Sequence, residues 1–261
     1  MKREMSVSGT FYPQRANDLY RYFEHFNKIY DENNLERDIK SRVIIVPHAG
    51  YIYSGFTANV AYRILEKSNL KNLLVIGPSH RVGFNGISIC EDYIYDTPLG
   101  EIESSKELVD ELKNKFNLKN ILKPHAEHST EVQFPFIKHY LSDVKIVELV
   151  YGDTTSEFVS EIIDFVLGKD DCGVIISTDL SHFYTLEDAN KLDGICLNAI
   201  ENINREQLHS GCEACGKIGI DAMLISAKKL GLESTLLDYR TSADVNDDKD
   251  SVVGYLSACF S

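Results

Sequence analysis

Apolar residues run along this chain in two rhythms. Short unbroken runs occur at 43–46 (VIIV), 73–76 (LLVI) and 174–176 (VII), each closed off by small or turn-forming residues. Runs of that length, rich in β-branched side chains, read as strands buried on both faces of a parallel sheet. Between them the spacing changes to the helical three and four. Leu19, Tyr20, Phe23 and Phe26 follow it over 17–27, and similar periodicity predicts helices over 55–65, 104–116, 156–167, 186–203 and 213–230. Further strands are expected at 145–151, 236–241 and 251–259, with a short one inside 86–90. Residues 130–133 can begin a helix that Pro135 then interrupts. The alternation predicts an α/β fold in one domain, 1–261, with a central, largely parallel mixed sheet flanked by helices. The runs at 43–46 and 73–76, joined by a helix, are expected to be neighbours in a βαβ unit.

Each of the three buried runs leads to a histidine: VPHAG places His48, GPSHR places His80 and STDLSH places His182. Ligands of open α/β sheets gather at the carboxyl ends of the strands, so three such histidines imply one shared pocket. Imidazoles there can bind a metal or move protons. Either of His48 and His80 alone could be a core histidine satisfied by a carbonyl, but the pair together points to a site. Asp179 lies three residues before His182. On a helical turn the two would share a face, and a carboxylate beside an imidazole fixes its tautomer and raises its basicity. Asp179 can equally cap a following helix. Cys215, just inside an expected helix start, has N–H groups nearby that favour thiolate, the metal-binding form. With Cys212 it could instead make a CxxC redox pair, or half of a zinc knuckle whose other half is missing.

The stretch 124–136 packs His125, Glu127, His128, Glu131 and Gln133 together, enough for a base or a substrate contact, and His128 is the member expected near the pocket. Phe11, Tyr51 and Tyr53, aromatics close to glycines, are candidates for its wall. His25, His139 and His209 read as surface groups.

Charge narrows the partners. There are 40 Asp and Glu against 27 Lys and Arg, a formal charge of −13 with no basic tail, which argues against nucleic acid and anionic membrane. No apolar run approaches the roughly 20 residues of a membrane helix, and MKREMSVSG lacks an export-type apolar segment, so a soluble cytoplasmic protein is expected. Six dispersed cysteines read mostly as small buried apolar residues rather than a disulfide framework.

The segments SGTFYP, VPHAGYIYSG, IGPSHR, EHSTEVQFPF, STDLSHF, CGKIGI and SVVGYLS stand in that order over nearly the whole chain. Together they resemble the Memo family, named for a human mediator of cell motility, whose microbial members are called protein B of the AmmeMemoRadiSam system. The resemblance implies a fold similar to the LigB-like class III extradiol dioxygenases, non-haem iron enzymes whose facial triad is two histidines and a carboxylate. It implies His48 and His80 as metal ligands, with Cys215 where the family places a cysteine. Asp179 and His182 match the family's DxxH pocket pair, with His128 as a further catalytic candidate, and Phe11 and Tyr53 match aromatic wall positions. A thiolate in place of the carboxylate makes copper a competitor to iron(II) and puts ring cleavage in question. The implied function is a metal-dependent oxidoreductase acting on a small molecule. The alternative is a non-enzymatic binding module for a peptide or small metabolite. Phe11, where the human relative has Trp, weakens any transfer of that relative's phosphotyrosine-peptide binding, and only Arg81 stands near these motifs for a phosphate. The microbial name implies AMMECR-type and radical SAM proteins as partners.

Overall fold

A computed structural model describes residues 2–261. Its main sheet runs in the order Ser234–Thr241, Val252–Phe260, Val43–Val46, Cys172–Ser177, Asn72–Pro78, Lys145–Tyr151 and Ile87–Ile89, and His182–Tyr184 pairs with the start of Val252–Phe260. The four inner strands are parallel and the outer ones antiparallel, which is the expected mixed sheet. A small sheet of Lys2–Arg3, Ile94–Tyr95 and Ile102–Glu103 lies apart from it.

One expectation is corrected. Val43–Val46 and Asn72–Pro78 are not neighbours, because Cys172–Ser177 lies between them. Strands sit only about 4.8 Å apart, so a helical crossover reaches over one intervening strand as easily as none. The register then aligns the ends: Val46 opposes Ser177, and Ile76 opposes Ile176. His48, Asp179 and His80 each follow within a few residues of these ends.

Alternation along the strands feeds two cores. Val43, Ile45, Leu74 and Ile76 face one that includes helices Ser156–Leu167 and Lys217–Leu230. Ile44, Val46, Leu73 and Val75 face the other, with Ala16–Glu32, Tyr51–Leu65 and Gln133–Tyr140. Each fully buried Val, Leu or Ile contributes about 1.5–3 kcal/mol, so covering both faces locks the register that brings the strand ends level.

Several boundaries differ from expectation for local reasons. The helix expected at 55–65 begins at Tyr51, because the Tyr51 N–H finds the Phe11 carbonyl at 2.8 Å. Pro135 interrupts nothing: it is the third residue of Gln133–Tyr140, in the first turn, where its missing N–H leaves no bond unmade. The break falls instead at Val132, after the single turn His128–Glu131. The helix expected at 213–230 starts only at Lys217, which leaves Cys215 in the preceding loop. Cys196 and Cys212 form a disulfide across 16 residues, correcting their reading as plain buried apolar residues and removing Cys212 from any CxxC pair with Cys215. A loop of that size adds about 3 kcal/mol. Among the described residues no helix is long and apolar enough to cross a membrane.

Candidate metal centre

The level strand ends assemble three imidazoles. His48, His80 and His128 each offer a ring nitrogen, and these atoms lie within 4.8 Å of one another. Ring centroids are 5.1 Å apart for His48 and His80, 5.2 Å for His48 and His128, and 4.6 Å for His80 and His128. Gly77 makes the third approach possible. A Cβ there would meet Ser129 Oγ at 2.6 Å, so only glycine lets the His128–Glu131 turn sit against the end of Asn72–Pro78.

The surroundings orient the His48 and His80 rings. Ser177 Oγ donates its proton to the Ser129 carbonyl and accepts from Gln133 Nε2 at 2.9 Å. At 3.0 Å from His48 Nδ1 it can therefore only accept, so His48 carries its proton on Nδ1 and leaves Nε2 bare. Glu127 does the same for His80. Its Oε2 accepts the His80 backbone N–H at 2.7 Å and its Oε1 lies 3.2 Å from His80 Nδ1. His128 Nδ1 is 2.7 Å from the same Oε1, a close ion-pair contact turned off the axis of an aligned hydrogen bond. Burial alone would raise the Glu127 carboxyl, but hydrogen bonds from His128 and His80 outweigh it and hold the group well below the usual carboxylate range. Glu127 also caps the 128–131 turn by accepting the His128 N–H at 2.9 Å.

Cys215 closes one side. Its Sγ is 3.3 Å from His48 Nε2 and accepts the Asp179 N–H at 3.2 Å. A Cβ at Gly216 would lie 2.5 Å from Thr178 Cβ, so glycine is what allows this loop to press against the strand end. The expectation of a thiolate favoured by a helix start is corrected. Cys215 precedes the helix, and burial, reinforced by Asp179, pushes the thiol up to about 12. With no proton on Nε2, His48 can accept from the thiol at 3.3 Å, and the Asp179 carbonyl is a second acceptor at 3.6 Å. A bound cation would displace the thiol proton and make the thiolate outright.

Asp179 and His182 do not share a helical face, because 178–181 is irregular and His182 opens the strand His182–Tyr184. Asp179 Oδ1 is taken by the His48 backbone N–H at 2.7 Å, and among the described residues no hydrogen bond joins it to His182. Burial raises the Asp179 carboxyl, opposed by that N–H and by nearby His182. Phe11 stacks on His128 with centroids 4.6 Å apart, and with Tyr53 and Gly50 it lines a groove of about 410 Å³ beside the centre. His125 is buried elsewhere, between Ser88 and Glu148. His139, expected on the surface, stacks on Phe23 at 4.2 Å. Sequence reasoning noted Glu127 without its orienting role and missed Ser177. The only signal for the first was a carboxylate between two histidines, and for the second a serine closing a buried strand.

Burial, with the neighbouring His80 and His128, pushes the His48 imidazole well below its ordinary 6.5. Below that pH the unfolded chain binds a proton that the native ring refuses, so stability falls as pH falls through this window. For one group the slope reaches about 1.4 kcal/mol per pH unit. Urea midpoints of metal-free protein at pH 7 and pH 5.5 should show this loss, and His48→Gln should flatten it. Equal slopes in the two proteins would refute the assignment.

A family described as Memo-like protein matches residues 3–259. A MEMO1 family protein of Methanobrevibacter smithii is 34% identical over 282 aligned positions, covering 100% of both chains. Another from Aquifex aeolicus is 34% identical, covering 99% of this chain and 98% of its own, and one from Thermoplasma acidophilum is 32% identical with 98% of each covered. With matches of that extent over nearly its whole length, this chain belongs to the Memo family.

Proposed function

We propose that this protein is a metal-dependent oxidoreductase built on a mononuclear site of His48, His80 and His128, with Cys215 as an adjoining thiolate ligand. The observation that carries the reading is the convergence of three imidazoles, two of which, His48 and His80, have Nδ1 committed to Ser177 and Glu127. Imidazoles gathered beside a thiol fit a borderline-to-soft ion such as iron(II) or copper. When bound, such an ion would supply one-electron chemistry and a place for oxygen or substrate to meet it.

The chain's own residues supply the rest. His182, half-buried, is the residue assigned to accept or give a proton, with the buried Asp179 carboxyl, raised by burial, close enough to interact with it electrostatically. Phe11 and Tyr53 offer apolar faces to a small planar substrate in the adjoining groove. The same groove, with exposed Ile52, favours a second reading as a binding site for a peptide or metabolite.

Elemental analysis after anaerobic purification separates the readings. One iron or copper per chain is expected in the wild type, near zero in His48→Ala, and reduced in Cys215→Ser. Folded wild type that takes up neither iron(II) nor copper(I) would overturn the oxidoreductase and leave the binding module.

A further inference from the structure

We propose a second cation site, separate from the three-histidine centre, in which Cys90, His125 and Glu148 hold a borderline-soft divalent ion of the zinc class. One donor atom from each residue lies within 4.8 Å of the other two, and all three side chains are buried. They come from different segments: Cys90 follows the strand Ile87–Ile89, His125 ends the turn Lys123–His125, and Glu148 lies within Lys145–Tyr151. The backbone already ties two of them, since the Cys90 N–H donates to the Glu148 carbonyl at 3.0 Å.

The donor chemistry is specific. A thiolate, an imidazole and a carboxylate form a mixed set that suits zinc better than magnesium or calcium, which take oxygen ligands. His125 Nδ1 is 3.0 Å from Glu148 Oε2, so an ion would replace the proton these two now share. The opposite nitrogen has its orienting partner in place. His125 Nε2 is 2.7 Å from Ser88 Oγ, whose own proton reaches the Ile121 carbonyl, so Ser88 can accept an Nε2–H and free Nδ1 for the metal. Zinc bonds of about 2.0–2.3 Å require the donors to draw in by roughly 1 Å.

Arg3, ion-paired with Glu131 and 3.6 Å from Glu148, adds a positive charge beside the donors, which opposes a cation. Charge counting removes the objection. Glu131, Glu148 and a Cys90 thiolate carry three negative charges, matched by Arg3 and a divalent ion. Binding expels the thiol proton, so the buried cluster ends neutral. An entry path exists too. Cys90 and His125 line a cavity of about 270 Å³, and Asn120, whose Oδ1 is buried without a hydrogen-bond partner among the described residues, lines it as well.

Cobalt(II) tests the site, because thiolate-to-cobalt charge transfer gives an absorption that imidazole and carboxylate ligands do not. Full-length protein carrying His48→Ala and Cys215→Ser is stripped with chelator and titrated, so the first centre contributes neither a thiolate signal nor bound cobalt. The expected result is charge-transfer absorption saturating at one cobalt per chain and abolished by added zinc. Adding Cys90→Ser should remove it. In case that buried change unfolds the chain, adding His125→Gln instead should weaken affinity more than about 100-fold, beyond the effect of losing a merely orienting partner. Absence of the band with Cys90 intact, or its persistence in folded Cys90→Ser protein, overturns the proposal.

Discussion

Glu131→Ala is expected to cost about 3–5 kcal/mol of folding stability, the range for stripping one partner from a buried ion pair. Glu131 is fully buried and gathers the start of the chain. It accepts from Arg3 Nη1, from the backbone N–H groups of Ser6 and Val7 at 2.8 Å each, and from Tyr12 Oη at 2.8 Å. Removing it leaves the buried guanidinium with Glu148 as its remaining carboxylate beside the Glu4 and Glu127 carbonyls, plus several N–H groups without acceptors. The effect extends to the centre, since Phe11, stacked on His128, lies in the same segment. Urea unfolding should show the loss, and limited proteolysis should cut within residues 3–13. Glu131→Gln, which keeps an acceptor oxygen, should lose less. A loss under about 1 kcal/mol for the alanine variant would mean that the network is not what holds this segment.

Glu127→Gln should leave the fold intact and lower affinity at the three-histidine centre by about 10–100-fold, the usual cost of removing the partner that orients metal-binding histidines. The amide oxygen can still accept the backbone N–H of His80 or His128, so the 128–131 turn keeps a cap. What it lacks is a charge between two imidazoles and a second acceptor oxygen, because the amide NH₂ opposes a ring N–H. Titrating metal-free wild type and variant with iron(II), with His48→Ala as the blank, measures the difference. Affinity within threefold of wild type would show that Glu127 caps the turn and does not orient the rings.

Much of this arrangement was legible from the pattern of apolar positions. The unbroken runs marked the inner strands because both sheet faces are covered, and Lys145–Tyr151 and Ser156–Leu167 fall where the pattern placed them. His48 and His80 were legible because a strand that ends at a histidine is locally odd. The position of Cys172–Ser177 between them was not, since no local signal encodes which neighbour a crossover selects. Nor was His128 as the third member of the cluster. Its approach depends on Gly77 and on a capping carboxylate, neither of which shows in periodicity. The Cys196–Cys212 pairing escaped for the same reason, because spacing along the chain does not encode distance across it.

The centre draws on positions 48, 80, 128 and 215, so it has no precursor in any short stretch of chain. Its donors meet only after Cys172–Ser177 has slotted between two strands from the first third of the sequence. Pairings between such distant segments form slowly, because each must close a long loop before any contact rewards it. An ion bound by donors that assemble this late would stabilise the finished sheet and not the path to it. It would slow unfolding as the unoccupied fraction falls and leave the rate of refolding unchanged.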